Sequence, residues 1–427
     1  MSASNAETHT PSGCKANATS SGATLVEAEV AIVGAGLVGS SLALLLAEAG
    51  MRVALLESRK ALVDKASLSA HPLPRVSALT PVSQRLLAGL GAWPGERATP
   101  YRAMQVWDAQ GSGEIAFSAD EAGLTVLGHI VENDVTQAAL HARLATHSNV
   151  TLLLGARLSA LQTSAKGYWL VLEDGRQVHA SLTVAADGAR STLRSLAGID
   201  VHEEPMEQEA VVTTVRCTHA HGNTARQAFV GGSPLAFLPL TVEEDDHYCS
   251  IVWSTTQAHA DALASATPEA LGKMLEEGIG GRLGKVSVCD GVHRFPLVQR
   301  HARRYALANL VLVGDAAHSI HPLAGQGVNL GLMDAAVLAE EVVSAWRRGA
   351  PWGALATLSR FERRRRFDNA AMLTMMKGFK RLFATTNPAL TLARNLGMGG
   401  MHQLAPLKRV IMRQAAGERG RLPPSCR

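Results

Sequence analysis

Three segments, far apart in a chain of 427 residues, carry residue types at spacings that could do chemistry. The first is Gly34-Ala35-Gly36-Leu37-Val38-Gly39. Ala28 to Val33 precedes it and reads as a strand; a helical pattern with Leu42, Leu45 and Leu46 on one face follows. Gly50 closes that helix, and Arg52 to Glu57 reads as a second strand. In this setting Gly34 permits a tight turn, Gly36 lets the backbone approach a pyrophosphate, and Gly39 lets helix pack close to strand. The diphosphate would rest on the positive helix N-terminus. Glu57, 23 positions after Gly34, ends the second strand, where it can accept hydrogen bonds from an adenosine ribose. The unit predicts dinucleotide binding without separating NAD from FAD.

The second segment separates them. Ala308 to Val313 reads as a strand running into Gly314-Asp315-Ala316-Ala317-His318. Then come Pro322-Leu323-Ala324-Gly325-Gln326-Gly327-Val328-Asn329 and a helix from about Leu330. Asp315 is placed to hold a ribityl hydroxyl, and the free amides of Gly325 to Val328 to stabilise negative charge on a flavin pyrimidine. The third segment, Val184 to Ser191, contains Asp187-Gly188-Ala189-Arg190 after a strand and before a short helix through Arg194. By itself Asp-Gly after a strand marks only a turn.

The elements that must position these residues follow from the whole chain. It is 47% hydrophobic and 18% charged, with 39 Gly and 17 Pro, which excludes disorder, collagen and coiled coil as whole-chain descriptions. No apolar run approaches the 18 or so residues that a transmembrane helix needs. Residues 1–26 read as a disordered leader without an apolar core, not as a signal peptide. Five scattered cysteines (Cys14, Cys217, Cys249, Cys289, Cys426) show no CxxC spacing, and the histidines lack ligand spacing, so no metal site is expected. No GxSxG follows a strand, which argues against a Ser-His-Asp hydrolase.

Charge is unevenly placed. From Trp346 onward there are 17 Lys and Arg against three acids, whereas the preceding 345 residues hold 24 basic and 34 acidic residues. Arg363-Arg364-Arg365-Arg366, then Met372, Met375, Met376, Phe379 and Phe383 at helical spacing, then Lys408-Arg409, suit either an anionic membrane surface or a helical pair with a solvated basic face.

Taken together, the glycine unit with Glu57, Asp187 to Arg190, and Gly314 to His318 resemble the class A flavoprotein monooxygenases of the para-hydroxybenzoate hydroxylase fold. More narrowly, Arg75-Val76-Ser77-Ala78-Leu79, Gly128 to Asn133, His321 to Gly331 and Phe361-Glu362-Arg363-Arg364 are similar to the ubiquinone-biosynthesis hydroxylases. The similarity runs from about Glu27 to Gly417. Within that family, Phe237 to Leu240 and Cys249 to Ser254 most resemble the 2-octaprenylphenol hydroxylase branch.

The resemblance implies an α/β fold: a Rossmann-like FAD-binding domain (27–100, 127–200 and 293–345), interleaved with a β-sheet substrate domain (101–126 and 201–292). A basic C-terminal helical region (346–427) follows. It implies that Gly34, Gly36, Gly39 and Glu57 bind the ADP half of FAD and that Gly314 and Asp315 hold the ribityl chain. Arg75 would lie near the pyrophosphate, with Asn133 on the same face. Asp187, Gly188 and Arg190 would serve both FAD and the pyridine nucleotide. Pro322, Gly325, Gln326, Gly327, Val328 and Asn329 would cover the isoalloxazine ring.

The implied reaction consumes NAD(P)H and O₂: oxygen adds at flavin C4a and one atom is delivered to the ring of a polyprenylated phenol on the way to ubiquinone. Another ring position of the same pathway, an oxygen-independent flavin reductase, and a flavin-binding scaffold are the alternatives. The apolar runs Leu235 to Leu240, Ser250 to Trp253 and Phe295 to Val298 could build the dry pocket such chemistry needs, or serve as ordinary sheet core. His293, His318 and His321 are candidates for a base that deprotonates the phenol, although a lone histidine is more often structural; no catalytic side chain is assigned. Expected partners are the prenylated phenol, a complex of ubiquinone-biosynthesis enzymes, and an anionic membrane surface, with no nucleic acid. The expected location is the cytoplasm, peripheral on the inner face of the cell membrane.

Overall fold

The computed structural model describes residues 25–69, 71–111, 113–319, 327–384, 409, 412–418 and 420–427. The chain enters through β1 (Leu25–Val33), three residues earlier than the apolar pattern suggests, because Leu25 to Glu27 already pair with Gln177 to His179. Its last four residues are buried, since β1 lies between two parallel neighbours, β2 (Val53–Glu57) and the strand Gln177–Ala185. The parallel core continues outward to Leu310–Leu312 on one side and Val150–Leu154 on the other. An antiparallel hairpin, Leu158–Ser164 with Gly167–Leu172, extends the same sheet beside Gln177–Ala185.

Between β1 and β2 runs α1 (Leu37–Glu48). It is buried on most sides because helices Asn133–Leu144 and Gly327–Arg347 pack against it. One hydrophobic core, including Ile32, Leu42, Leu55, Val184 and Leu338, joins this sheet to its helices.

A nine-stranded sheet holds the rest. Its backbone is the antiparallel series His293–Ala302, Val201–Cys217, Asp245–Thr256 and Ser233–Val242, continued by Thr224–Val230, Ala103–Asp108 and Glu114–Ser118. The strand His293–Ala302 was expected with the nucleotide-binding segments. It is instead hydrogen bonded along Val201 to Val212, so the second sheet extends past the expected division at 292. A three-stranded sheet, Val76–Leu79, Gly128–Glu132 and Thr99–Tyr101, lies between the two large ones in sequence.

Strand periodicity decides what the three apolar runs do. Val211, Leu235, Phe237, Ile251 and Trp253 share one face and are sealed by helices Gln257–Ser265 and Pro268–Gly278. Val212, Ala236, Leu238 and Val252 take the other face, with Phe295 and Leu297 from the neighbouring strand. The runs Leu235 to Leu240 and Ser250 to Trp253 therefore supply core on one side and an apolar, partly open surface on the other, to which Phe295 and Leu297 of the third run add.

The helix Leu355–Ala384 closes the molecule over the first sheet. The expectation of a basic surface here is half correct. Arg364 bonds to Glu340 (2.7 Å) and Glu341 (2.9 Å), and Arg365 is buried, leaving Arg363 and Arg366 exposed. Phe361 is buried, and Glu362 accepts from the Tyr305 amide at 3.0 Å. The tail returns to the first sheet's core through buried Cys426, whose carbonyl accepts from Arg85 Nε at 3.0 Å. Met372 is buried; the side chains of Met375, Met376, Phe379 and Phe383, and Lys408, lie outside the described residues. No described helix is long and apolar enough to cross a membrane.

Candidate functional site

The glycine turn between β1 and α1 is built as its spacing suggests. Gly34 has φ +104, and a Cβ there would lie 2.4 Å from the Ala186 carbonyl oxygen. A Cβ on Gly39 would lie 1.9 Å from the Gly34 oxygen, so Gly39 serves contact between turn and helix and does not itself face a ligand. Gly36 is different. Its φ of −73 suits any residue, and a Cβ there would meet no protein atom within 4 Å.

That open side of Gly36 faces a cavity of about 620 Å³. Gly34, Gly36, Glu57, Arg75, Asn133, Asp187, Gly188, Gly314, Asp315, Gly327 and Val328, all singled out from sequence, line this one cavity. Segments separated by up to nearly 300 positions thus converge, as the carboxyl ends of parallel strands in α/β sheets do. Two helix N-termini open onto it, at Gly36 to Val38 and at Gly327 and Val328, and neither helix has an acid in its first turn. Each presents the positive end of a dipole to an anionic ligand.

The turn is clamped by residues that sequence reasoning missed. Glu57 Oε2 accepts from the Ala35 amide at 3.0 Å. The Ala35 carbonyl accepts from Gln137 Nε2 (2.8 Å) and Ser40 Oγ (3.1 Å) and lies 2.8 Å from His141 Nε2. Gln137 and His141 stand four apart on one helix face, but nothing in the sequence ties that face to a turn 102 residues away. Burial acts to raise the Glu57 pKa; hydrogen bonds from Arg59 and Ala35 outweigh it and hold the carboxyl below its ordinary value. Glu57 therefore stays an acceptor, as contact with ribose hydroxyls requires. Arg59, Arg157 and Glu173, also absent from the sequence reading, line the same end of the cavity.

Asp315 opens into the cavity although protein surrounds it at longer range. That burial raises its carboxyl pKa, with His318, Arg75 and Arg300 opposing. Asp187 accepts from the Leu193 amide through Oδ2 (3.1 Å), while Oδ1 is buried and has no hydrogen-bond partner among the described residues. Asn133 Oδ1 accepts from Ser77 Oγ at 2.6 Å, and the Arg75 guanidinium lies 5.6 Å from the centre of the Phe295 ring. The cavity thus adjoins the partly open apolar sheet face.

Other expected residues lie elsewhere. Arg190 is exposed and does not line the cavity. Asn329 is buried and engaged by the fold: its Oδ1 accepts from the Thr80 amide (3.0 Å) and Ser83 Oγ (2.7 Å), and Nδ2 donates to the Ala78 carbonyl (2.8 Å). Its side chain ties two elements together. Pro322, Gly325, Gln326 and His321 lie outside the described residues. Among the candidate bases, His293 sits 3.6 Å from Asp290 near the surface. His318 is buried with Nε2 2.5 Å from Asp334, which makes it a structural member of the fold.

A dinucleotide cofactor fits these residues. The orphaned Asp187 oxygen calls for a hydroxyl donor, and Gly36 leaves a cradle that a side chain would fill. A family model described as an FAD binding domain matches residues 27–373. The 3-demethoxyubiquinol 3-hydroxylase of Escherichia coli K12 is 38% identical over 392 residues, covering 91% of this chain and 98% of its own. The ubiquinone hydroxylase UbiL of Rhodospirillum rubrum is also 38% identical, with 91% and 90% covered. Among solved structures, p-nitrophenol 4-monooxygenase PnpA from Pseudomonas putida superposes with a TM-score of 0.73 at 20% identity, covering 93% of this chain and all of that one, which is a likeness of fold. By sequence family, fold and cavity, this chain belongs to the FAD-dependent hydroxylases of ubiquinone biosynthesis, monooxygenases of the para-hydroxybenzoate hydroxylase fold.

Proposed function

We propose that this enzyme hydroxylates the aromatic ring of a polyprenylated phenol on the way to ubiquinone. The observation that carries the reading is the cavity lined by Gly36, Glu57, Asp187 and Asp315, set against an apolar sheet face at Phe295. The diphosphate of FAD would rest on the amides at the start of α1, from Gly36 to Val38, since those of Gly34 and Ala35 are taken by the Leu56 carbonyl and Glu57; Glu57 would hold the adenosine ribose, and Asp315 and the free oxygen of Asp187 the ribityl hydroxyls. When bound there, FAD would supply the redox chemistry, with NAD(P)H as reductant and O₂ as oxidant. Arg75 stands where the cavity meets the apolar face, and Ala236, Leu238, Val252 and Phe295 supply a surface on which a phenol ring excludes water.

Two ring positions compete. The segments Phe237 to Leu240 and Cys249 to Ser254 favour the first hydroxylation, that of the prenylphenol. The likeness to a protein named 3-demethoxyubiquinol 3-hydroxylase favours a later one. Lipid extracts of a deletion strain decide between them. Accumulated polyprenylphenol supports the first, a methoxylated intermediate lacking one oxygen supports the second, and unchanged ubiquinone in a strain without a redundant hydroxylase rejects both.

Such a substrate is held in a bilayer, and a surface suited to one is present. A groove of about 700 Å³ between Ala306–Leu307 and the helix Leu355–Ala384 is rimmed by Arg304, Arg363 and Arg366. Phe367 beside it is 77% exposed and Leu355 48%. Arginines near anionic lipid contribute about 1 kcal/mol each. Charge reversal at Arg363 and Arg366 is expected to reduce binding to vesicles containing phosphatidylglycerol by tenfold or more, read by flotation. Binding that persists at high salt and in the reversed variant would reject this surface.

A further inference from the structure

Arg365 is a member of the basic run, yet it is buried and does not border the cavity. Its Nε donates to Asp334 Oδ1 at 2.7 Å, and its other nitrogens bond to Asp368 (3.1 Å), Asn369 Oδ1 (2.9 Å) and the Leu330 carbonyl (3.4 Å). Asp334, fully buried on the helix Gly327–Arg347, accepts through Oδ2 from the Gly314 amide (3.0 Å) and from His318 Nε2 (2.5 Å). The Gly314 amide opens the turn whose next residue, Asp315, faces the cavity. Gly314 has φ +58, and its Cα is backed by Val38 and Gly331, so small shifts of this turn meet α1.

We propose that Arg365, Asp334 and His318 form a buried relay of positioning residues through which the C-terminal helix holds the Gly314–Asp315 turn in the shape that retains FAD. The proposal rests on the reading that Asp315 contacts the ribityl chain. One carboxylate serves two bonds to the turn and its flank (Gly314, His318) and two to the distant helix (Arg365 and, more weakly, Asn369). Inside a low-dielectric core such a carboxylate keeps a single orientation only while its cations remain. Burial alone would raise the Asp334 pKa, but His318 and Arg365 bring it down to about 2, so the charge is retained. Tyr305 and Asn369 complete the shell: Asn369 Nδ2 lies 3.4 Å from both Tyr305 Oη and Asp334 Oδ1, and Tyr305 Oη bonds to His301 Nε2 at 2.9 Å.

The test compares Arg365→Lys, Arg365→Met, the double variant Asp334→Asn with Arg365→Met, and Asp315→Asn. Each full-length apoprotein is titrated with FAD by fluorescence, and the visible circular dichroism of the bound flavin is recorded at saturation. Expected is a roughly tenfold rise in the FAD dissociation constant for Arg365→Met with an altered flavin dichroism, and partial rescue by Arg365→Lys, which restores charge without the fork. Where Arg365→Met does not fold, the double variant, which removes the Asp334 anion together with the Arg365 cation, replaces it with the same expectation. Unchanged affinity and dichroism in the folded variant, with Asp315→Asn weakened, overturns the relay and leaves the ribityl assignment standing. Unchanged affinity in Asp315→Asn overturns that assignment instead.

Discussion

Gly36→Thr is expected to give a folded protein that has lost FAD, whereas Gly39→Thr is expected to give little folded protein at all. The two glycines stand three residues apart in one motif. The structure separates them. At Gly36 the backbone is extended with φ −73, and an added Cβ meets no protein atom within 4 Å. Threonine is as good an N-cap as glycine, so helix α1 keeps its start. The new side chain projects only into the cavity, where the diphosphate must approach the amides. Affinity for FAD should fall by roughly 100-fold or more, about 3 kcal/mol, with the melting temperature of the apoprotein within a few degrees of the parent. At Gly39 the Cβ would lie 1.9 Å from the Gly34 oxygen, a contact that no rotamer relieves. Forcing turn and helix apart costs at least about 3 kcal/mol, read as loss of soluble protein or a much lower melting temperature. A Gly36→Thr protein that binds FAD with parental affinity would remove the diphosphate from this turn.

Asp334→Ala is expected to be the most destabilising single substitution in the core around the first sheet, by about 3–5 kcal/mol at neutral pH. It leaves Arg365 and His318 buried beside no anion, and frees the Gly314 amide. The pH dependence has a definite sign. The folded-state pKa of Asp334 is depressed to about 2, so its contribution is present above the ordinary aspartate value and is lost as pH falls through the folded value. The gap between parent and Asp334→Ala should therefore be constant from neutral pH down to about 4 and then shrink by on the order of 2–3 kcal/mol as pH approaches 2. Urea midpoints of the two apoproteins at pH 7, 4 and 3 measure it. A gap that stays unchanged at pH 3, or widens, would mean that Asp334 is not held as a buried anion.

The basic run shows why composition alone misleads. Four consecutive arginines on a helix read as a charged face, but a helix turns about 100° per residue. Arg364 therefore meets the acids of the neighbouring helix and Arg365 points into the core, while Arg363 and Arg366 stay on the surface, Arg366 within 3.9 Å of Glu362. Asn329 is a similar case. It follows a glycine-rich turn, yet its amide is used by Thr80, Ser83 and Ala78. The strand His293–Ala302 precedes the Gly314 motif in sequence but is hydrogen bonded to the second sheet, because pairing depends on neighbours that are a hundred residues away.

What the sequence determined by itself is local. The turn at Gly34, the extended backbone before it, the helix after it and the carboxylate at Glu57 all depend on backbone preferences and spacings within some twenty-five residues, and these survive in any chain that folds. The positive φ at Gly34 and Gly314 belongs to the same class. Only the tertiary structure decided which polar atoms were left over. The free Asp187 oxygen, the clamp of Gln137 and His141 on Ala35, and the link from Arg365 through Asp334 to Gly314 are such cases. Their partners lie on elements whose meeting depends on sheet order and helix packing. A side chain's chemistry is set by its type, but whether that chemistry is spent on the fold or kept for a ligand is set by what packs against it.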